Sequence, residues 1–139
     1  MEHKQLLTVF NSLPVGIGFF TADGTLVRCN ESFCRIFGAD SQTLLGNKLN
    51  INENSVVPDV VKEAVRRCVP VQMSFLYDFD KQRTDKRFFS TRTRTCYLKC
   101  NGNPLYDNDG KFVNYIFIFE DITELSLIHI SEPTRRTPI

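Results

Sequence analysis

The hydrophobic pattern changes period several times along the chain, and each change marks an element. Leu6, Leu7, Val9, Phe10 and Leu13 give an imperfect helical stripe over Glu2–Ser12, and Pro14 ends it. The pattern then alternates. Val15, Ile17 and Phe19 share one face of a strand over Val15–Thr21, while Gly16 and Gly18 leave the other face open. Ala22-Asp23-Gly24 signals a tight hairpin, with Thr25–Cys29 as the return strand. Asn30 is a good N-cap for a helix over Glu31–Phe37, where Phe33, Ile36 and Phe37 fall on one face and Gly38 supplies the stop. Ser41 is expected to cap a short turn over Gln42–Leu45, and Lys48–Val57 reads as an irregular, Asn-rich segment.

The second half opens on the strongest helical signal. Val57, Val60, Val61, Ala64, Val65 and Cys68 recur at helical spacing after Pro58, with Lys62, Glu63, Arg66 and Arg67 on the opposite face, and Pro70 closes the segment. Strands are predicted over Val71–Phe79, Thr95–Leu105 and Lys111–Glu120, with a basic loop or hairpin end over Lys81–Arg94 and an Asn-Asp-Gly turn within Tyr106–Gly110. The order is a helix, two strands, several short helices and three strands. It suits one antiparallel sheet with helices packed on one face, an α+β domain.

After Glu124 the pattern stops. Leu125–Arg135, LSLIHISEPTR, resembles throughout the in-frame translation of a common transposase-type sequencing adapter, so residues 125–139 are set aside as a non-native tail. The natural continuation, expected to include the part that does chemistry, would then be missing. His129 carries no weight on this reading. Without Glu132, Arg135 and Arg136 the formal charge falls from +1 to zero. No global basic field for nucleic acid or an anionic membrane remains.

Roughly 120 residues suffice for one core without staples. The division expected is a lead-in helix over residues 1–13 and one domain over 14–124. Apolar content of 42% and charged content of 24% are ordinary for a globular chain, and twelve Phe with no Trp tilt the core toward aromatic packing. No apolar run reaches the ~20 residues of a membrane span. Five Cys without a CxxC spacing, Cys29, Cys34, Cys68, Cys96 and Cys100, read as packing thiols of a reduced, cytoplasmic domain. Cys96 and Cys100 lie four apart in a strand, roughly 13 Å, which is too far for a disulfide.

These features together resemble a PAS domain. The resemblance rests on LPVGIGFFTADGTLVRCNESFCRIFG, on TLLGNKL, on the helix after Pro58 and on the exit FVNYIFIFEDITE, which holds the family's Asp-Ile-Thr motif at Asp121–Thr123. It spans Leu6–Glu124, and the chain is similar in style to PAS domains of bacterial two-component sensor histidine kinases. The resemblance implies a PAS-like five-stranded antiparallel sheet with short helices on one face. It implies a sensory, signal-transducing input module, as a homodimer, truncated before a kinase. It also leaves open a ligand-free dimerisation module using Glu2–Leu13, or the input domain of a cyclic-dinucleotide enzyme or a transcription regulator.

The same resemblance implies roles for particular residues. Asp121 and Thr123 would end the last strand, cap the next helix and pass sheet strain to it. A pocket for a small-molecule ligand would be lined by Ile17, Phe19, Cys34, Phe37, Val61, Val65, Phe75, Tyr77, Cys96, Leu98, Phe117 and Phe119, with a filled core as the competing reading. The ligand is unknown. Haem-binding members use a His in the helix matching Pro58–Cys68, and no His lies between His3 and the tail, which argues against His-ligated haem. The Gly-Arg-Asn-Cys-Arg-Phe-Leu-Gln stretch of cysteinyl-flavin photoreceptors has no counterpart after Phe37. Cys68 has no recognisable Glu/Tyr pair for a cysteine-linked hydroxycinnamate. A non-covalent flavin or small metabolite stays open.

Two other features bear on partners and chemistry. Lys81, Arg83, Lys86, Arg87, Arg92 and Arg94 cluster around Phe88 and Phe89, a pattern that can bind single-stranded nucleic acid. Asp80 and Asp85 dilute the charge, and the alternation of Thr91, Thr93 and Thr95 with Arg92 and Arg94 reads instead as an exposed strand. No nucleic-acid partner is expected. Asp78 and Asp80 share a strand face, which is weak evidence for acid–base work. With no phosphate loop, nucleophile elbow or metal-spaced ligand set, the chain is expected to be non-catalytic, and no metal site is assigned.

Overall fold

The computed structural model describes residues 3–82 and 90–124. The tail at 125–139 and half of the basic run, residues 83–89 with Arg83, Lys86, Arg87, Phe88 and Phe89, lie outside the described residues. Five strands form one antiparallel sheet in the order β2-β1-β5-β4-β3. In chain order the elements are α1 (His3–Ser12), β1 (Gly16–Phe20), β2 (Leu26–Cys29), α2 (Glu31–Phe37), α3 (Ser41–Gly46), a 3-10 turn (Ile51–Glu53), α4 (Asp59–Arg67), β3 (Val71–Asp78), α5 (Phe79–Gln82), β4 (Thr95–Tyr106) and β5 (Phe112–Asp121). The five-stranded sheet with short helices against its inner face is the α+β architecture expected from the sequence, while α1 lies on the outer side. Among the described residues no helix is long and apolar enough to cross a membrane.

One face of the sheet carries the core. Phe75 and Tyr77 of β3, Cys96, Leu98 and Cys100 of β4, and Tyr115, Phe117 and Phe119 of β5 alternate inward and are buried. Aromatic edges interlock across the layers. Phe37 of α2 meets Tyr77 and Phe119, each at 5.3 Å between centroids, and Phe20 meets Phe117 at 5.4 Å. Such edge-to-face pairs add to simple area burial.

On β1 the inward face is the one opposite to expectation. Gly16, Gly18 and Phe20 face the core, whereas Ile17 and Phe19 are only half-buried on the outer face. The cause is the close approach of α2. A Cβ on Gly16 would lie 2.9 Å from the Phe33 Cα, and one on Gly18 would lie 2.8 Å from the Phe33 ring. Only glycine lets the helix lie this near the strand. Phe19 instead packs on the outer side against Phe10 of α1, at 5.9 Å between ring centroids.

Asn30 fixes this arrangement. Its side chain is 1% exposed and uses its full bonding capacity. Its Oδ1 accepts from the amides of Ile17 (2.9 Å) and Phe33 (3.0 Å). Its Nδ2 donates to the carbonyls of Phe10 (3.0 Å) and Val15 (2.9 Å). The cap of α2 therefore also holds the end of α1, the link after it, and β1.

The short helices are stopped by turn chemistry. Gly38 closes α2 in the left-handed conformation, φ 68°. The cap of α3 is Asp40, whose carboxylate accepts from the Thr43 amide at 2.7 Å, rather than Ser41. Helix α4 starts after Pro58 and ends before a left-handed Cys68. Strand β3 stops at Asp78, so Asp78 and Asp80 do not share a strand face. Asp78 instead caps α5, accepting from the amides of Asp80 and Lys81.

Replacing Asn30 by Asp keeps the two acceptor bonds but aims a carboxylate at two carbonyls. Buried groups left unsatisfied cost ~1–3 kcal/mol each. Asn30→Asp is expected to lower the urea-unfolding free energy at neutral pH by about 2–4 kcal/mol. An unchanged midpoint would show that the amide does not hold this corner.

Candidate functional site

Two features of the fold bear on function: a partly open, mostly apolar space beneath α2 and α3, and the junction where β5 leaves the sheet. The space is a cavity of about 50 Å³. Phe20, Leu26, Phe33, Phe37, Leu44, Leu49, Ile51, Val57, Phe75 and Phe119 give its apolar wall. Asn50, Asn54, Tyr77 and Gln82 give it a polar side, where the Asn54 amide donates to the Tyr77 hydroxyl at 2.7 Å. A drug-sized ligand needs a cleft of ~300 Å³ or more, so a molecule of that size would have to displace the helices and the 3-10 turn.

The twelve residues proposed from sequence to line a pocket separate into four groups. Phe37, Phe75, Tyr77 and Phe119 lie on the cavity wall. Val61, Val65, Cys96, Leu98 and Phe117 are buried in the core but off that wall. Cys34 is half-buried and turns toward Cys29, with the two sulfurs 3.9 Å apart. Ile17 and Phe19 face the other side of the sheet, which removes them from any inner pocket. Much of the remaining wall comes from the stretch read as irregular. Asn50 caps the 3-10 turn through the Asn52 amide and donates to the Asp23 carbonyl, which folds that stretch back over the β1–β2 hairpin. The signal that could have found it is the regular recurrence of Asn at 50, 52 and 54 between apolar Leu49, Ile51 and Val57.

The exit junction is more ordered than a simple helix cap. Asp121 Oδ1 accepts from the Thr123 amide at 3.0 Å and from the Thr123 hydroxyl at 2.5 Å. The Thr123 oxygen in turn accepts from the Tyr97 amide of β4 at 2.8 Å, and the Ile122 amide donates to the Tyr97 carbonyl at 2.9 Å. Thr123 thus ties the exit back to the sheet, and Asp121 turns the chain.

Arg92 joins this junction to α2. Its guanidinium donates to Asp121 Oδ2 at 3.1 Å and to the Ile36 carbonyl at 2.9 Å, and lies 4.8 Å over the Phe79 ring. Ser90 and Thr91 support it by bonding the Phe37 and Gly38 carbonyls. The stretch before β4 is therefore not the exposed alternating strand expected. Of Thr91, Thr93 and Thr95 only Thr95 lies in a strand, and Arg92 points inward because the carbonyls at the end of α2 need donors. Nothing in the local sequence distinguishes Arg92 from its basic neighbours.

Burial raises the Asp121 carboxyl, but hydrogen bonds from Thr123 and the Arg92 guanidinium outweigh it and hold the group below its ordinary 3.8. Among the described residues no group of three His, Cys, Asp or Glu could hold a metal ion.

The comparisons agree with this geometry. A family model described as "PAS fold" matches residues 10–127, and the chain belongs to that family. A PAS domain from Colwellia psychrerythraea superposes with a TM-score of 0.63 at 16% identity, covering 87% of this chain and 97% of that one. A domain of the sensory box sensor histidine kinase/response regulator from Geobacter sulfurreducens does so at 0.57 and 16%, covering 85% and 92%. The PAS domain of the fruit-fly ELK potassium channel gives 0.64 at 10%, covering 88% and 98%. At these identities the likeness is one of fold. No curated protein sequence matches the chain.

The lowered Asp121 carboxyl stabilises the native state above the unfolded-state value near pH 4, and that contribution is lost as pH falls through the lower folded value. Asp121→Asn is therefore expected to unfold at lower urea than the parent at pH 7, with the gap narrowing below about pH 4. A gap of the same size at pH 7 and pH 3 would show that the charge on Asp121 contributes nothing.

Proposed function

We propose that this PAS module receives a signal in its core and passes it out through Asp121 and Thr123 as the input part of a sensor histidine kinase. The observation that carries the reading is the Arg92 bridge. One guanidinium touches the carbonyl end of α2, the ring that follows β3, and the carboxylate where β5 leaves the sheet. The Ile36 carbonyl and Phe79 are next to wall residues Phe37 and Tyr77, so a shift of α2 alters the bonds available to Asp121. A ligand or partner acts by favouring one of two such arrangements, and shifts the balance only by its difference in affinity for them. The chain itself is not the catalyst on this reading. The phosphorylated His and the nucleotide site belong to the rest of the kinase. The likeness to the Geobacter sulfurreducens kinase domain supports that output, while the ELK channel domain shows that the fold serves other outputs too.

A second reading has its own observation. Helix α1 buries no residue, and Leu6, Leu7 and Val9 are 53%, 41% and 46% exposed. An apolar stripe of this kind suits a second copy of the chain, which would make the domain a dimerising module with a filled core.

Native mass spectrometry with an absorbance scan on the protein purified from cells distinguishes the two. The sensing reading predicts a reproducible small-molecule adduct. A dimer without adduct, lost on Leu6→Glu, supports the second. In a whole protein carrying this domain, Arg92→Ala is expected to change ATP-dependent histidine phosphorylation several-fold while the domain stays folded. Phosphorylation indifferent to Arg92→Ala would remove the proposed route.

A further inference from the structure

The cysteines at the β2–α2 corner have a relation that their spacing did not suggest. Cys29 ends β2, an edge strand, and Cys34 lies one turn into α2. Their sulfurs stand 3.9 Å apart and both residues are half-buried, so small reagents can reach the pair from the sheet edge. A disulfide requires about 2.05 Å, which side-chain rotations of about 1 Å at each sulfur would supply. Cys96 and Cys100, by contrast, are fully buried in the core.

We propose that Cys29 and Cys34 form a redox-responsive dithiol site that closes to an intramolecular disulfide by exchange with a small disulfide of the glutathione class. The reaction has two balanced steps. The Cys34 thiolate attacks the glutathione disulfide, forming a mixed disulfide and releasing one glutathione thiolate, which takes up the proton lost from Cys34. Cys29 then loses its proton and attacks the Cys34 sulfur, releasing the second glutathione. The two protein thiols are oxidised by two electrons, and one glutathione disulfide is reduced to two thiols. Burial pushes the Cys29 thiol up to about 12 and also raises Cys34, so little thiolate forms at neutral pH and both exchange steps are slow. The bridge would enclose Asn30 and tie the edge strand to the helix that Asn30 caps. Oxidation would therefore act on the corner that holds α1, β1 and α2 together.

The test equilibrates the full chain in glutathione buffers of graded redox ratio, quenches it with acid, alkylates free thiols and measures intact and peptide masses. The expected result is a species lacking two hydrogens, with two fewer thiols alkylated than the five cysteines present and a peptide joining residues 29 and 34. A variant with Cys68, Cys96 and Cys100 all changed to Ser should behave in the same way. Cys29→Ser should stop at a stable glutathione adduct on Cys34, with circular dichroism confirming its fold. Five alkylated thiols at the most oxidising ratio would overturn the proposal, as would a parental adduct on Cys34 that never closes or a bridge mapped to another pair.

Discussion

The closeness of α2 to β1 is the constraint on which the rest of the structure depends. Two glycines remove the side chains that would hold the helix away, and one buried amide replaces the lost packing with four hydrogen bonds. Without that contact Phe33 and Phe37 could not reach the sheet at Phe119 and Tyr77, since each of those ring contacts spans less than 6 Å. The outer side follows from the same choice. Because the glycine face is turned inward, Ile17 and Phe19 are turned outward and give α1 its seat.

A core built in this way is close to filled. The aromatic rings from α2, β1, β3 and β5 interlock, and the space left among them is about 50 Å³. Close-packed interiors transmit displacement because a side chain cannot yield without moving its neighbours. The polar residues at one side of the space, Asn54 against Tyr77, make that side adaptable to more than one bonding partner. The same packing gives Arg92 its importance. It is a polar link between the end of α2 and the exit of β5, and the Ile36, Phe79 and Asp121 groups it meets lie on three different elements.

Much of this was legible in the chain, and the parts that were not share a physical reason. Helix α2 was read to the residue because Asn30, the apolar spacing and Gly38 are all local signals. The succession of strands along the chain and the amphipathic α4 were legible for the same reason, whereas Asp121–Thr123 stood out only through the family resemblance. The facing of β1 was not. Alternation shows which residues share a face, but the choice of inward face depends on where a distant helix docks, and a glycine face is as well suited to close packing as to solvent. Ser41 and Asp40 are adjacent good caps, and only the backbone geometry distinguishes them. Arg92 resembles five basic neighbours in sequence, and its role comes from carbonyls at Ile36 and a carboxylate at Asp121, far away along the chain. The Cys29–Cys34 approach likewise arises from the turn between strand and helix.

The central claim is that Asn30 makes β1 and α2 a single unit. Native-state hydrogen exchange in increasing denaturant tests it most directly, since the amides of Ile17 and Phe33 both donate to the same side-chain oxygen. The account predicts that these two amides, one in a strand and one in a helix, open with the same free energy and the same denaturant dependence. If Phe33 exchanges through a local opening of α2 while Ile17 stays protected, the two elements are separate and the account fails.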